Sequence, residues 1–296
     1  MCYILLTPIK NEAANLPQLK AAVLKQTMLP VVWVVTDSGS SDGSFNIAEH
    51  LFRGHEWIHV IHQRVFHGQG YADENMSAAI NEGYECAKKL CADRHVDYSY
   101  VGKTDATPIL QPDYFETLHK EMEKDPQLAF TCGIERLKYR GKTKEVKPFR
   151  NLSNDGYNDI RLYRKEFLDQ IGGYSLTPSP DAVSMVKAAN RGWKYAIVEQ
   201  TYFVKPRLQG AKIGVWAGNK AKGTKLYRLG YHPILLLLLA MVNSIKFPPH
   251  YQAVPMTLGY VSSAVRRITR VDDKEVREYY GRDRLYELFY RLFGSF

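Results

Sequence analysis

Cysteine is scarce here: four residues in 296, Cys2, Cys86, Cys91 and Cys132. None is paired at metal-ligand spacing, and Cys86 and Cys91 stand five apart in a helical pattern, which is not a zinc spacing. This excludes a disulfide scaffold and a zinc module, and predicts reduced thiols in a cytosolic protein. No apolar run approaches the roughly 20 residues of a spanning helix. The run Cys2 to Thr7 is too short for a signal peptide and leads straight into Lys10, Asn11 and Glu12. Internal repeats and low-complexity tracts are absent. Tyrosine is plentiful, at 20 residues, but no stacking motif with basic neighbours appears, so nucleic acid is not an expected partner. Acidic residues are missing from Lys205 to Arg228, where seven bases lie: Lys205, Arg207, Lys212, Lys220, Lys222, Lys225 and Arg228. With 40 Lys and Arg against 31 acids the chain carries +9. Such a surface suits a phosphate-bearing partner, a nucleotide or an anionic membrane, or is simply solvated.

What is present is an alternation of strand and helix signals. Tyr3 to Leu6 reads as a buried strand ended by Thr7-Pro8, and a helix follows from Asn15-Leu16-Pro17 to about Gln26. Val31 to Val35 is a second strand, Gly43 to Phe52 a helix, Trp57 to Ile61 a strand, and Ala78 to Leu90 a helix. Tyr98 to Val101 is a strand leading into a loop from Gly102 to Pro108. This order predicts βαβ units and an α/β fold with a mainly parallel central sheet. Beyond it, Phe130 to Tyr139 reads as a strand and Gly141 to Asn158 as a polar stretch without period. A helix is expected from near Arg164 to Gly172-Gly173, then a helix over Asp181 to Asn190 and a strand over Trp193 to Val198. After Pro206 the character changes. His232-Pro233 opens ILLLLLAMV, followed by Lys246-Phe247-Pro248-Pro249; a second apolar stretch, Ala253 to Val265, ends at Arg266-Arg267; Asp272 to Phe296 reads as a charged helix. Short apolar segments flanked by cations and aromatics suit a membrane interface. Core or dimer-interface helices are the alternative.

Polar stations stand at the ends of these strands. In VVWVVTDSGSSDGS (31–44) an apolar run stops at Asp37, and Asp42, Gly39 and Gly43 follow in a turn-rich loop. Thr7-Pro8-Ile9-Lys10-Asn11-Glu12 follows the first strand, and Thr104-Asp105-Ala106-Thr107 follows the strand at Tyr98. Ligands of open α/β sheets bind outside the carboxyl ends of the strands, so these three stations should converge on one crevice. A fourth, Asp181, lies in the loop Thr177-Pro178-Ser179-Pro180 before a helix. Turn-forming Asp105 and N-capping Asp181 are the plain structural alternatives. His55, His59, His62 and His67 straddle a strand and a loop and read as surface or satisfied histidines. Gly68-Gln69-Gly70 is a lone Gly-x-Gly, read as a loop near the crevice.

Over about residues 3 to 200 the sequence resembles the family 2 glycosyltransferases of the GT-A fold. Asp37-Ser38-Gly39-Ser40-Ser41-Asp42-Gly43 is similar to the family's Asp-Asp/Ser-Gly-Ser-x-Asp-Gly element, and Asn81-Glu82-Gly83 to its Asn-x-Gly helix. Asp105-Ala106-Thr107 sits where the family carries Asp-x-Asp, with Pro112-Asp113-Tyr114-Phe115 as sequel. Arg164 to Tyr174 resembles the acceptor-side helix with its Gly-Gly-Tyr ending, and Ser179-Pro180-Asp181 stands where the family places its catalytic acid. The resemblance implies an inverting transfer of a sugar from a nucleotide sugar. It implies donor contacts at Thr7, Pro8, Lys10, Glu12, Asp37, Ser38, Asn81, Lys103 and Asp105, and Asp181 as general base. It also implies a GT-A-like domain over residues 1–206, with a donor half to about 110 and an acceptor half from about 111. Residues 207–296 would form a helical, partly apolar C-terminal region.

The chemistry agrees with these assignments. Leaving diphosphate accumulates negative charge, which a divalent cation, Mg²⁺ or Mn²⁺, held by oxygen ligands can neutralise. The attacking hydroxyl must lose a proton, which a carboxylate within reach accepts. The sequence departs from the family pattern at Thr107, a neutral hydroxyl in place of the second acid. Two arrangements follow. Metal binds through Asp105, with Thr107 as a weak ligand and His232 as a more remote one; or it is weak or nonessential, and Lys103, Arg207 or Lys212 supplies the positive charge. The expected acceptor is a lipid-linked or envelope glycan, with the protein peripheral on the inner face of the cell membrane. A soluble acceptor served by a homodimer is the alternative, and an inactive sugar-nucleotide-binding protein is the third reading.

Overall fold

The computed structural model describes residues 2–68, 72–139, 142–145, 160–205, 214–246 and 250–293. Arg207, Lys212, Gln69, Gly70, most of the polar stretch 141–158 and the Phe247-Pro248-Pro249 segment lie outside the described residues. Contacts divide the chain into two units. The first comprises Met1–Lys147, Tyr157–Leu176 and Ala188–Arg207; the second comprises Pro148–Gly156, Thr177–Lys187 and Leu208–Phe296.

In chain order the first unit carries β1 (Tyr3–Ile9), α1 (Leu16–Leu24), β2 (Val32–Asp37), α2 (Ser44–Phe52), β3 (Ile58–His62), α3 (Ala72–Asp93), β4 (Tyr100–Lys103) and β5 (Ile109–Leu110). There follow α4 (Tyr114–Lys124), β6 (Leu128–Tyr139), β7 (Lys142–Glu145), β8 (Arg161–Arg164) and α5 (Lys165–Gln170). Helix α6 (Pro180–Asn190) leads into β9 (Lys194–Lys205). The nine strands form one sheet in the order β3-β2-β1-β4-β8-β6-β9-β5, with β7 on β6. The first four are parallel to one another, as buried runs such as VWVVTD require. From β8 onward the sheet is mixed. One face is covered by α1, α2 and α4, whose Leu16, Leu19, Val23, Phe52, Phe115, Leu118 and Met122 form the main core with Tyr3, Leu5, Trp33 and Val35. Helix α3 packs against β1 and β2 on the other face, with Gly83 fitted against Leu6, Val34 and Thr36.

Several boundaries differ from the sequence reading. β1 runs through Thr7-Pro8 to Ile9 because β2 pairs with it that far, whereas β4 pairs only as far as Leu6, so the missing N–H of Pro8 breaks no ladder bond. Gly102 and Lys103 belong to β4 rather than to a loop, held between β1 and β8; a Cβ at Gly102 would lie 3.1 Å from Leu5 and Phe115. The polar stretch contains β7, and residues 161–164 form β8, polar strands that take their pairing from β6 and β4. β9 extends to Lys205, following the long β6 past a register shift between Gly133 and Ile134.

The second unit is helical. It holds the N-terminal part of α6, then α7 (Val215–Arg228), α8 (Pro233–Lys246), α9 (Ala253–Val265), α10 (Lys274–Glu278) and α11 (Arg284–Phe293). The expected C-terminal helix is broken by a π-turn at Tyr279–Asp283, where Tyr280 is buried and its carbonyl accepts the His232 N–H at 3.1 Å. Val183 and Val186 pack with Leu226, Leu236, Leu239, Met256, Tyr260 and Tyr280 in a separate core. Glycines make the α7–α9 contact: a Cβ on Gly223 would lie 1.9 Å from the Met256 carbonyl oxygen, and one on Gly259 2.0 Å from that of Lys220. Among the described residues no helix is long and apolar enough to cross a membrane.

Candidate active site

The chain runs β1 to β2 to β3 outward on one side of β1, then returns to place β4 on the other. The carboxyl ends of β1 and β4 therefore flank a topological switch point, the crevice such sheets use for ligands. Three loops meet there. Ser38 N–H donates to the Ile9 carbonyl at 2.8 Å, Thr104 N–H to Leu6 at 3.1 Å, and Gln63 N–H to Asp37 at 2.8 Å.

The first two loops are laced by short polar side chains. Asn11, at φ 55°, receives the Ser41 N–H on its side-chain oxygen at 2.8 Å and donates its own N–H to the Ser40 hydroxyl at 2.9 Å. Asp42 accepts the Ala13 and Ser44 amides at 3.1 and 3.0 Å and the Ser44 hydroxyl at 2.5 Å. The Ser44 hydroxyl bond holds the Asp42 carboxyl below the usual carboxylate range against an opposing desolvation, and the Ala13 and Ser44 amides add to the lowering. Asp42 is thus a loop brace. Asp37 differs: it is 2% exposed, and its Oδ2 accepts the Ser40 N–H at 3.1 Å with His62 Nδ1 at 3.7 Å. Its buried Oδ1 has no hydrogen-bond partner. An unmatched carboxylate oxygen in the interior is costly, and this one lies at the carboxyl end of β2. Beside it, Gly39 at φ 70° lies under the half-exposed Phe66; a Cβ there would be 3.5 Å from the ring.

On the β4 side, Lys103 is 1% exposed and its Nζ lies 3.0 Å from Asp105 Oδ1; Asp105 is 30% exposed, and Thr107 is half-buried. Arg161 of β8 stands directly opposite Lys103 in the antiparallel register, so both side chains share one face of the sheet. Arg161 is fully buried, 4.4 Å over the Phe130 ring, and donates to the Tyr163 hydroxyl at 3.1 Å. Two interior cations and one partly exposed carboxylate therefore line this end of β4.

Other sequence-derived candidates are engaged within the fold. The Thr7 hydroxyl accepts the Trp33 indole N–H at 2.9 Å on the α1–α2 side. Glu12 accepts a bond from the Asn15 amide. The Asn81 amide clamps the Tyr174 backbone through two bonds of 2.8 Å, fixing α3 to the Gly-Gly-Tyr turn. Pro8 is half-buried, Lys10 exposed and Ser38 buried. Asp181 and His232 belong to the second unit. Asp181 is the second residue of α6, in the first turn, where the helix dipole favours negative charge. His232 Nδ1 accepts the Ile234 N–H at 3.3 Å.

The donor set fits a divalent cation poorly. Asp105 is already paired with a lysine, and Thr107 offers a neutral oxygen, whereas hard cations need several oxygen ligands with charge among them. Among the described residues no group of three His, Cys, Asp or Glu side chains is placed to hold a metal. Sequence reasoning misses Arg161, although the alternation of Arg161 and Tyr163 in RLYR marks them as one strand face.

Residues 4–178 match the model of glycosyl transferase family 2. No curated protein sequence matches the chain. Among solved structures, the mannosyltransferase PcManGT from Pyrobaculum calidifontis, in complex with GDP-Man and Mn²⁺, is 16% identical with a TM-score of 0.55, covering 99% of this chain and 88% of that one. Residues 1–349 of TarS from S. aureus, in complex with UDP-GlcNAc, are 12% identical with a TM-score of 0.54, covering 98% of this chain and 81% of that one. At these identities the likeness is one of fold.

Proposed function

This chain belongs to glycosyl transferase family 2 and is a nucleotide-sugar glycosyltransferase; from that premise we propose that it inverts the sugar it transfers, with a lipid-linked or envelope glycan as acceptor. The observation that carries the donor assignment is the partnerless, buried Oδ1 of Asp37 across the switch point from Lys103 and Asp105. In this reading Asp37 accepts an N–H of the nucleobase, Phe66 covers the base, and the loops at Pro8–Glu12 and Ser38 hold the nucleoside. Asp105 meets the ribose. The bond from the anomeric carbon to the diphosphate breaks with its electrons going to the leaving oxygen, and Lys103 and Arg161 offset the charge that gathers there. A hydroxyl of the acceptor bonds to the same carbon from the opposite face and gives its proton to Asp181. Residues 1–110 form the donor half, 111–206 the acceptor half, and 207–296 the basic helical region. The divalent cation that the family resemblance implies is, given the Lys103–Asp105 pair, weakly held or nonessential.

The test is a panel of nucleoside-diphosphate sugars. A ligand that binds only the folded protein at 100 times its dissociation constant adds about 2.7 kcal/mol of stability, readily seen as a rise in melting temperature. The stabilising donor should also be hydrolysed slowly with EDTA present. If none of the panel raises the melting temperature, the donor assignment fails. Thr107 favours one second reading, a protein that binds sugar nucleotides without turning them over; a donor that stabilises and stays intact with and without Mn²⁺ would establish it.

A further inference from the structure

The second unit presents an apolar face that its own core does not use. On α8, Leu235, Leu236, Leu239 and Ala240 point into the core, while Ile234, Leu237, Met241 and Ile245 form a line of exposed side chains at spacings of three, four and four. α9 repeats the arrangement: Met256 and Tyr260 are buried, and Val254, Leu258, Val261 and Val265 line the outer side at four, three and four. Ile245 and Val265 are 76% and 77% exposed, and the eight side chains stand in two rows rather than scattered singly. The two helices form a hairpin closed by the Ser244 hydroxyl, which accepts the Ala253 N–H at 2.7 Å, and they pack on each other and on the same core. Both lines therefore face away from that core.

The charge around this face decides what it meets. From Gly214 to Val271 the sequence holds no acid and eight bases: Lys220, Lys222, Lys225, Arg228, Lys246, Arg266, Arg267 and Arg270. Arg266 and Arg267 are exposed at the end of α9, and at the hairpin's turn Tyr251 pairs with Trp216 of α7, ring centroids 5.9 Å apart and both rings about half exposed. Apolar side chains on an acid-free, basic stretch of chain, with exposed Arg266 and Arg267 at the end of α9 and with Trp and Tyr at the hairpin's turn, match the chemistry of a bilayer surface: acyl boundary, aromatic belt, anionic headgroups. A second copy is the poorer fit, because a two-fold interface sets a patch against itself and would bring together two copies of an acid-free, basic segment.

We propose that the α8–α9 hairpin docks the protein on the surface of an anionic lipid bilayer, lying in the interface rather than crossing it. This inference rests on the second unit alone and is independent of the donor assignment. The full chain is floated with vesicles of phosphatidylcholine alone and of phosphatidylcholine mixed with phosphatidylglycerol. The wild type should rise with the mixed vesicles, less so with the neutral ones, and high salt should weaken the difference. Met241→Gln combined with Leu258→Gln changes only exposed positions; it should lower the partition coefficient roughly tenfold or more, with the melting temperature unchanged. Failure of the wild type to float with either vesicle overturns the proposal. So does a wild-type dimer in size-exclusion chromatography that the double variant converts to monomer without altering flotation.

Discussion

Replacing Lys103 with Met tests how the crevice handles charge. The side chain is interior, and its ammonium lies 3.0 Å from Asp105, a separation worth about 5–6 kcal/mol of Coulomb attraction at an effective dielectric of about 20. Asp105 is 30% exposed, so water offsets part of the loss, and removing the ammonium should cost about 2–4 kcal/mol of folding stability. For a unit of this size that is a drop in melting temperature on the order of 4–16 °C. If Lys103 also stabilises the departing diphosphate, its removal should lower turnover by a further factor of about 10² to 10³, as for the loss of one preorganised donor at a developing anion. Met keeps the length of the stem, which limits the packing change. The variant removes the cation 3.0 Å from Asp105, so Mn²⁺ should restore part of the lost turnover while doing little for the wild type. The assay is donor hydrolysis and transfer with EDTA and with Mn²⁺, alongside thermal unfolding. Wild-type turnover in the Met variant, or complete loss of wild-type turnover in EDTA, would refute the reasoning.

Asp181→Asn should reduce turnover by about 10²- to 10⁴-fold while nucleotide-induced stabilisation persists; an unaltered rate would remove Asp181 from the role of base. Asp37→Asn puts a donor or a weaker acceptor where the buried Oδ1 stands, and nucleotide affinity should fall by about ten- to a hundredfold, measured by calorimetry, with kcat reduced less than affinity. Gly259→Ala drives a methyl into the Lys220 carbonyl and should destabilise the second unit by about 1–3 kcal/mol or more, read as an early unfolding transition; an unchanged melting curve would mean the helices separate at little cost.

The parallel half of the sheet is legible in the sequence because buried strands such as YILLTPI and VWVVTD advertise themselves as apolar runs stopped by polar loops. The polar stations at Asp37 and Asp105 follow from the same pattern, since it locates the carboxyl ends. What stays hidden depends on partners distant in the chain. RLYR is too polar and too short to read as a strand until β4 and β6 flank it, and so Arg161 escapes notice. Lys103 looks like a loop residue because nothing local says that β8 extends β4 to it. Thr7 and Asn81 read as ligand contacts, but their side chains face Trp33 and Tyr174, contacts spanning 26 and 93 positions. α3 begins well before its apolar periodicity, its first turn carrying Asp73 and Glu74 where the dipole favours acids.

The Gly223–Gly259 crossing has a consequence for where the second unit can work. Two helix backbones meet there with no side chain between them, each glycine Cα lying beside a carbonyl oxygen of the other helix. Attraction of that kind, close dispersion and Cα–H···O contacts, owes little to the expulsion of water. Apolar side chains lose their reason to cluster once lipid surrounds them, but a backbone seam does not. The α7–α9 pair thus keeps its geometry whether its outer side is bathed in water or in acyl chains.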